Sequence, residues 1–142
     1  MGRIRTLMCW AYALIAVVAL VITYSQYLPF PTGGFLGLEG FWADLKVNHT
    51  ARGISVDLAF FLLAAALFMV GEARRLKMRF VWLYLFAGYF FDISVAFPVF
   101  LIMRERAMAR AGEAADSLTS TDLVAFAATA GVVIWQVWFV LS

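Results

Sequence analysis

This chain has one cysteine, one histidine, three prolines, and charged side chains at only 14% of its positions. Each scarcity excludes something. Cys9 alone forms no internal disulfide and no multi-cysteine metal site. His49 has no second histidine or cysteine beside it and reads as a loop residue, so no metal site is expected. A net charge of +2 carries no nucleic-acid signal, and no nucleic-acid partner is expected. A glycine-rich phosphate loop ending in Lys-Ser/Thr, a nucleophile elbow, His-x-x-x-His and Cys-x-x-Cys are all missing. ATP-driven transport, serine hydrolysis and haem or zinc chemistry therefore have no support in the sequence, and no cofactor is expected.

What the chain does have is apolar surface. Hydrophobic residues make up 65% of it and the mean hydropathy is +0.90, against roughly 45–50% apolar content in a soluble domain. Its 142 residues suffice for one domain, 1–142. Four apolar stretches stand out: Leu7–Tyr27, Ile54–Gly71, Phe80–Met103 and Leu123–Leu141. Each approaches or exceeds the roughly 18–20 residues that cross about 30 Å of hydrocarbon. The fold class expected is all-α: an integral membrane four-helix bundle whose first partner is the lipid bilayer. Arg3 and Arg5 give the first stretch the basic start of a signal peptide. Thr23-Tyr24-Ser25-Gln26 then lacks the small-x-small pattern of a cleavage site, so an uncleaved anchor is expected. Gly2…Thr6 and Asn48-His49-Thr50 match myristoylation and glycosylation patterns that are short enough to arise by chance.

The longest connection, Leu28–Gly53, opens with Pro29, Pro31, Gly33 and Gly34, which favour turns. Within it Leu38, Phe41, Trp42 and Leu45 recur at helical spacing, with Glu39, Asp44 and Lys46 between them. That pattern predicts a short interfacial helix in this first external loop, a cap on the bundle or a lid over an outer cavity. The tight Glu72–Arg79 loop makes an antiparallel hairpin of the second and third helices. Beyond Met103 the third helix continues through strong helix formers, and Ser117–Thr121 breaks it. Thr119-x-x-Asp122 fits a capping box that starts the fourth.

With four crossings, Arg3, Arg5, Arg74, Arg75, Lys77 and Arg79 share one side, and Lys46, Arg52, Arg104, Arg106 and Arg110 the other. The positive-inside rule then favours a cytoplasmic N-terminus narrowly, with the C-terminus cytoplasmic as well. Trp10, Trp82 and Trp138 fall near one membrane face in this arrangement and Tyr24 and Tyr27 near the other. Arg104-Glu105-Arg106 is its weak point. Were the third segment a re-entrant hairpin, those arginines would return to the cytoplasm.

Asp92 sits in the middle of the 24-residue run Phe80–Met103, the only acid deep inside any apolar segment. A carboxylate there costs roughly 2.5–3.5 kcal/mol on insertion scales and needs burial, a partner or a proton. Gln136 lies at a matching depth on the fourth helix, so an Asp92–Gln136 hydrogen bond is expected. Tyr84, Gly88, Asp92 and Ala96 form an i, i+4 stripe whose small members let another helix approach. Pro98 removes a helical hydrogen bond and kinks the helix near Asp92. Asp92, Gln136 and Tyr84 are thus the candidate intramembrane polar site, with inter-helix hydrogen bonding as its structural alternative. Asp57, near the outer end of the second helix, is expected to pair with Arg104 or Arg106. Glu72 is expected to pair with Arg75, three residues on.

The hairpin carries a run Asp57…Glu72-Ala73-Arg74-Arg75-Leu76-x-Met78-Arg79…Trp82-Leu83-Tyr84…Ser94-x-Ala96-x-Pro98…Leu101-x-x-Arg104-Glu105-Arg106. This resembles domain of unknown function 2834, a bacterial family of small multi-pass membrane proteins. The resemblance covers the middle third of the chain and implies a bacterial inner membrane. It supplies no activity. Members often end soon after Arg-Glu-Arg, whereas here a fourth helix follows. Asp92 is not part of the family pattern, so no role is carried over to it.

Three functions compete. An accessory or interaction subunit of a membrane assembly asks least of the sequence, with a membrane-protein partner or a homo-oligomer as its counterpart. A binding protein or enzyme for an apolar lipid- or isoprenoid-like small molecule would use Asp92, as buried acids serve the emopamil-binding isomerases. A proton-coupled transporter would use Asp92 as small multidrug exporters use a lone membrane carboxylate. Both likenesses are of architecture alone. A cavity reaching Asp92 would favour the ligand reading, and tight packing there would oppose it.

Overall fold

A computed structural model describes residues 2–27, 43–114 and 118–142, and all regular structure among them is helical. We label the helices α1 (Arg3–Tyr27), α2 (His49–Arg75), α3 (Val81–Ala87), α4 (Ile93–Arg110) and α5 (Ser120–Leu141), with a π-helical turn Gly88–Asp92 between α3 and α4. By length and composition four stretches suffice to cross a membrane: Arg3–Gln26, His49–Arg75, Val81–Arg110 and Ser120–Leu141. The expected all-α membrane architecture is therefore present. The interfacial helix expected around Leu38–Leu45 lies mostly outside the described residues.

Local chemistry sets the helix ends. Asn48 caps α2, its side-chain oxygen accepting from the Ala51 amide at 2.8 Å. α2 closes in a Schellman turn in which Lys77 N–H donates to the Arg74 carbonyl and Met78 N–H to the Ala73 carbonyl. Lys77 takes the left-handed conformation (φ 52°) that glycine usually fills at that position. α4 ends the same way at Gly112 (φ 73°), before the Ser117–Thr121 stretch where the break was expected. The capping box between Thr119 and Asp122 starts α5 as the sequence predicts.

The third segment departs from the expected straight crossing, and this is a correction. Asp92 adopts an extended backbone (φ −164°, ψ 118°) and becomes the N-cap of α4, so the chain reverses there. The rings of Tyr84 and Phe100 meet edge to face at 5.8 Å. In a continuous helix those residues would stand about 24 Å apart. A Cβ placed on Gly88 would lie 3.6 Å from Ala96 Cβ. Both pairs are centred on Asp92. The stripe of four-residue spacing is thus not one face of a helix: its two halves face each other across a hairpin. Each leg has about eleven apolar residues, roughly 16 Å, which is about half the hydrocarbon thickness.

The core forms where the hairpin meets α2. Met69, Ala73, Val81 and Phe100 are buried together, with Tyr84, Met78 and Phe97 around them. Phe68 of α2 sets its ring edge to face against Phe97 and Phe100. α1 runs antiparallel to α4, from Arg5 beside Glu105 to Leu20 and Tyr24 near Asp92. Ala16 on α1 is buried, and Ala96 on α4; such small residues allow close helix approach. α5 has no buried residue at all.

Candidate functional site

Two polar features result, one at each end of the hairpin. At its base an alternating chain of three arginines and three glutamates ties α1, α2 and α4 together. Arg5 Nε lies 3.4 Å from Glu105 Oε2, and both side chains are almost fully buried. That geometry gives an ion pair without a hydrogen bond; Arg5 Nη2 donates instead to the Ala114 carbonyl at 2.8 Å. Arg104 bonds both Glu105 and Glu72 and lies 5.8 Å from the Phe68 ring centroid, a cation–π contact. Arg75 grips Glu72 with two parallel bonds, 2.9 and 3.0 Å, and reaches Glu113 at 2.7 Å. The expected Glu72–Arg75 pair is therefore formed. The expected pairing of Asp57 with Arg104 and Arg106 is not. Asp57 is exposed on α2, and the reversal at Asp92 carries both arginines to the opposite end of that helix. Glu105 and Arg5 were missed by sequence reasoning, because Glu105 lies between two arginines assigned to the outer face.

At the tip, Asp92 divides its two oxygens between different tasks. Oδ1 accepts from the Ser94 amide at 2.7 Å, the capping bond that starts α4. Oδ2 is buried and has no hydrogen-bond partner. The expected hydrogen bond to Gln136 is not made: Gln136 is exposed on α5, and the one hydrogen bond that Asp92 accepts comes from its own turn. Tyr84 lies on the first leg with its ring against Phe100. It lines the same cavity as Asp92, together with Leu20 and Tyr24 of α1, Phe91 and Ala96. The volume is about 300 Å³, at the lower end of the roughly 300–1,000 Å³ typical of small-molecule pockets.

The cavity is thus apolar apart from one carboxylate and the tyrosines, and one oxygen of that carboxylate has no hydrogen-bond partner. Such a site suits an apolar body carrying one hydroxyl or ammonium group. Among the described residues no three His, Cys, Asp or Glu side chains gather as metal ligands.

The family model described as protein of unknown function DUF2834 matches residues 11–106. The chain belongs to this family. The matched region of this DUF2834 protein takes in most of α1, all of α2 and the hairpin through Arg106, while α5 lies outside it. No curated protein and no solved structure matches the chain.

Proposed function

We propose that this DUF2834 protein binds an amphiphilic small molecule, lipid- or isoprenoid-like, in the cavity between α1 and the hairpin. The observation that carries this reading is an apolar cavity of about 300 Å³ lined by Asp92, whose buried Oδ2 has no hydrogen-bond partner. A structural carboxylate with a satisfied second oxygen and close packing around it would have pointed the other way. The ligand's hydroxyl or ammonium donates to the Asp92 carboxylate, and Tyr84, Phe91 and Leu20 hold its apolar body. The test is native mass spectrometry of protein taken gently from its own membrane, wild type beside Asp92→Asn. A retained small molecule that disappears in the variant supports the site. Equal retention by both, or a bare wild-type protein, overturns it.

A second reading, an interaction subunit, is favoured by one observation: α5, 22 residues long, has no buried residue. The same spectra report on it as a co-purifying polypeptide or a second copy.

We further propose a bacterial inner-membrane location with the N-terminus cytoplasmic and the C-terminus on the far side. A cytoplasmic C-terminus requires four complete crossings. A hairpin that returns to the side it came from leaves three.

A further inference from the structure

We infer that the cavity at the base of the hairpin, beside the turn from α2 into α3, is a binding site for the phosphate of an anionic phospholipid. The cavity has a volume of about 400 Å³ and is lined by Arg74, Met78, Arg79, Phe80, Val81 and Trp82 among others. Its chemistry divides in two. Arg74 and Arg79 line it, and neither takes part in an ion pair or side-chain hydrogen bond among the described residues. The one carboxylate near them in sequence, Glu72, is already held by Arg75 and Arg104, so no internal anion competes for the pair. The remaining wall is apolar. Phe80 is 74% exposed and Trp82 64% exposed, at the level where aromatic side chains meet the headgroup–acyl boundary.

The turn that presents these groups is a defined one. Lys77 and Phe80 both hold positive φ, 52° and 65°, which bulky residues rarely adopt. The Schellman bonds then tie Met78 back to Ala73 in the core. Two planar forks beside an aromatic rim match a phosphate with an acyl chain attached: the forks take the phosphate oxygens and the rim takes the glycerol and first methylenes. Lys77, between the two arginines in sequence, adds a third positive charge to the surface. This site stands independently of Asp92 and its cavity.

The full chain in nanodiscs of phosphatidylcholine, with and without phosphatidylglycerol, tests the site through the lipid retained in native mass spectra. Selective retention of phosphatidylglycerol is expected, weakened roughly tenfold by Arg74→Gln with Arg79→Gln. The charge-matched pair Arg106→Gln with Arg110→Gln, exposed on the same side of the molecule but outside this cavity, is expected to leave it unchanged. Equal loss in both double variants would mean diffuse attraction only and overturn the site. So would the absence of phosphatidylglycerol preference, or retention of inorganic phosphate, added to the same nanodiscs, where the lipid is not retained. Arg79→Gln alone, outside every helix, carries the same expected direction if the double variant does not fold.

Discussion

Asp92 performs its structural task with one oxygen and leaves the other without a partner, and side-chain replacement separates the two. Asparagine keeps an oxygen for the Ser94 amide, so Asp92→Asn is expected to preserve hairpin stability while changing what the cavity binds. Alanine removes the cap, at a cost of roughly 0.5–2 kcal/mol. Denaturant titration in mixed micelles checks this order, and equal stability of Asp92→Ala and wild type would rule out the cap. Glu105 makes a sharper case because it is 3% exposed beside an Arg5 that is 4% exposed. Glu105→Ala strands Arg5 with only the Ala114 carbonyl and takes a bond from Arg104. Breaking a buried pair costs roughly 3–5 kcal/mol, whereas replacing both partners by apolar residues is often nearly neutral. Arg5→Met with Glu105→Met is therefore expected to recover most of the stability that Glu105→Ala loses, measured by the same titration. A double variant as weak as the single one would show that the pair is not the source of the loss.

At the level of elements, the hairpin depends on how closely its legs approach at Gly88. A Cβ there would meet Ile93 Cδ1 at 2.9 Å, the movable end of a side chain, and Ala96 Cβ at 3.6 Å. Gly88→Ala is thus expected to be mild. Gly88→Val adds two methyls facing the second leg, and overpacking of that kind costs roughly 1–3 kcal/mol. Thermal unfolding in detergent distinguishes them, and a fully tolerated valine would contradict the closeness of the legs. This element also shows where sequence reading stops. The helices themselves were readable from apolar length, and the capping box at Thr119 and Asp122 from residue type and spacing. The reversal was legible only as the alternative that Arg104-Glu105-Arg106 raised, and its place was not, because Phe80–Met103 is one apolar run with no glycine or proline at Asp92 itself. A straight helix and a hairpin both put Asp92 near mid-membrane, so depth could not separate them. The Tyr84, Gly88, Asp92, Ala96 stripe held the clue in its symmetry. Spacing alone does not say whether small residues four apart receive a different helix or their own return leg.

At the level of the whole molecule, the hairpin redistributes charge. Arg3 and Arg5 at the start of α1, Arg74, Arg75, Lys77 and Arg79 around the first turn, and Arg104, Arg106 and Arg110 at the end of α4 now share one face. Only Lys46 and Arg52 remain at the other end. The near balance of the four-crossing arrangement becomes nine against two, an asymmetry that supports the proposed cytoplasmic N-terminus by the positive-inside rule. Arginines that looked misplaced were the sign of re-entrance. The consequence falls on the C-terminus. Arg5 holds the Ala114 carbonyl, so the chain is still at the basic face shortly before α5 begins at Ser120. The 22 residues of α5 extend about 33 Å, enough for one passage across the hydrocarbon. A reporter that matures only in the oxidising periplasm is therefore expected to be active when fused after Ser142 and silent when fused after Arg110. A thiol introduced at Arg106, with Cys9 replaced by serine, should resist an impermeant reagent in whole cells and react once the membrane is opened. Activity after Arg110, or labelling of that thiol in intact cells, would place α4's end outside and restore the straight crossing. A silent reporter after Ser142 beside a protected Arg106 position would keep the hairpin and lay α5 along the membrane surface instead.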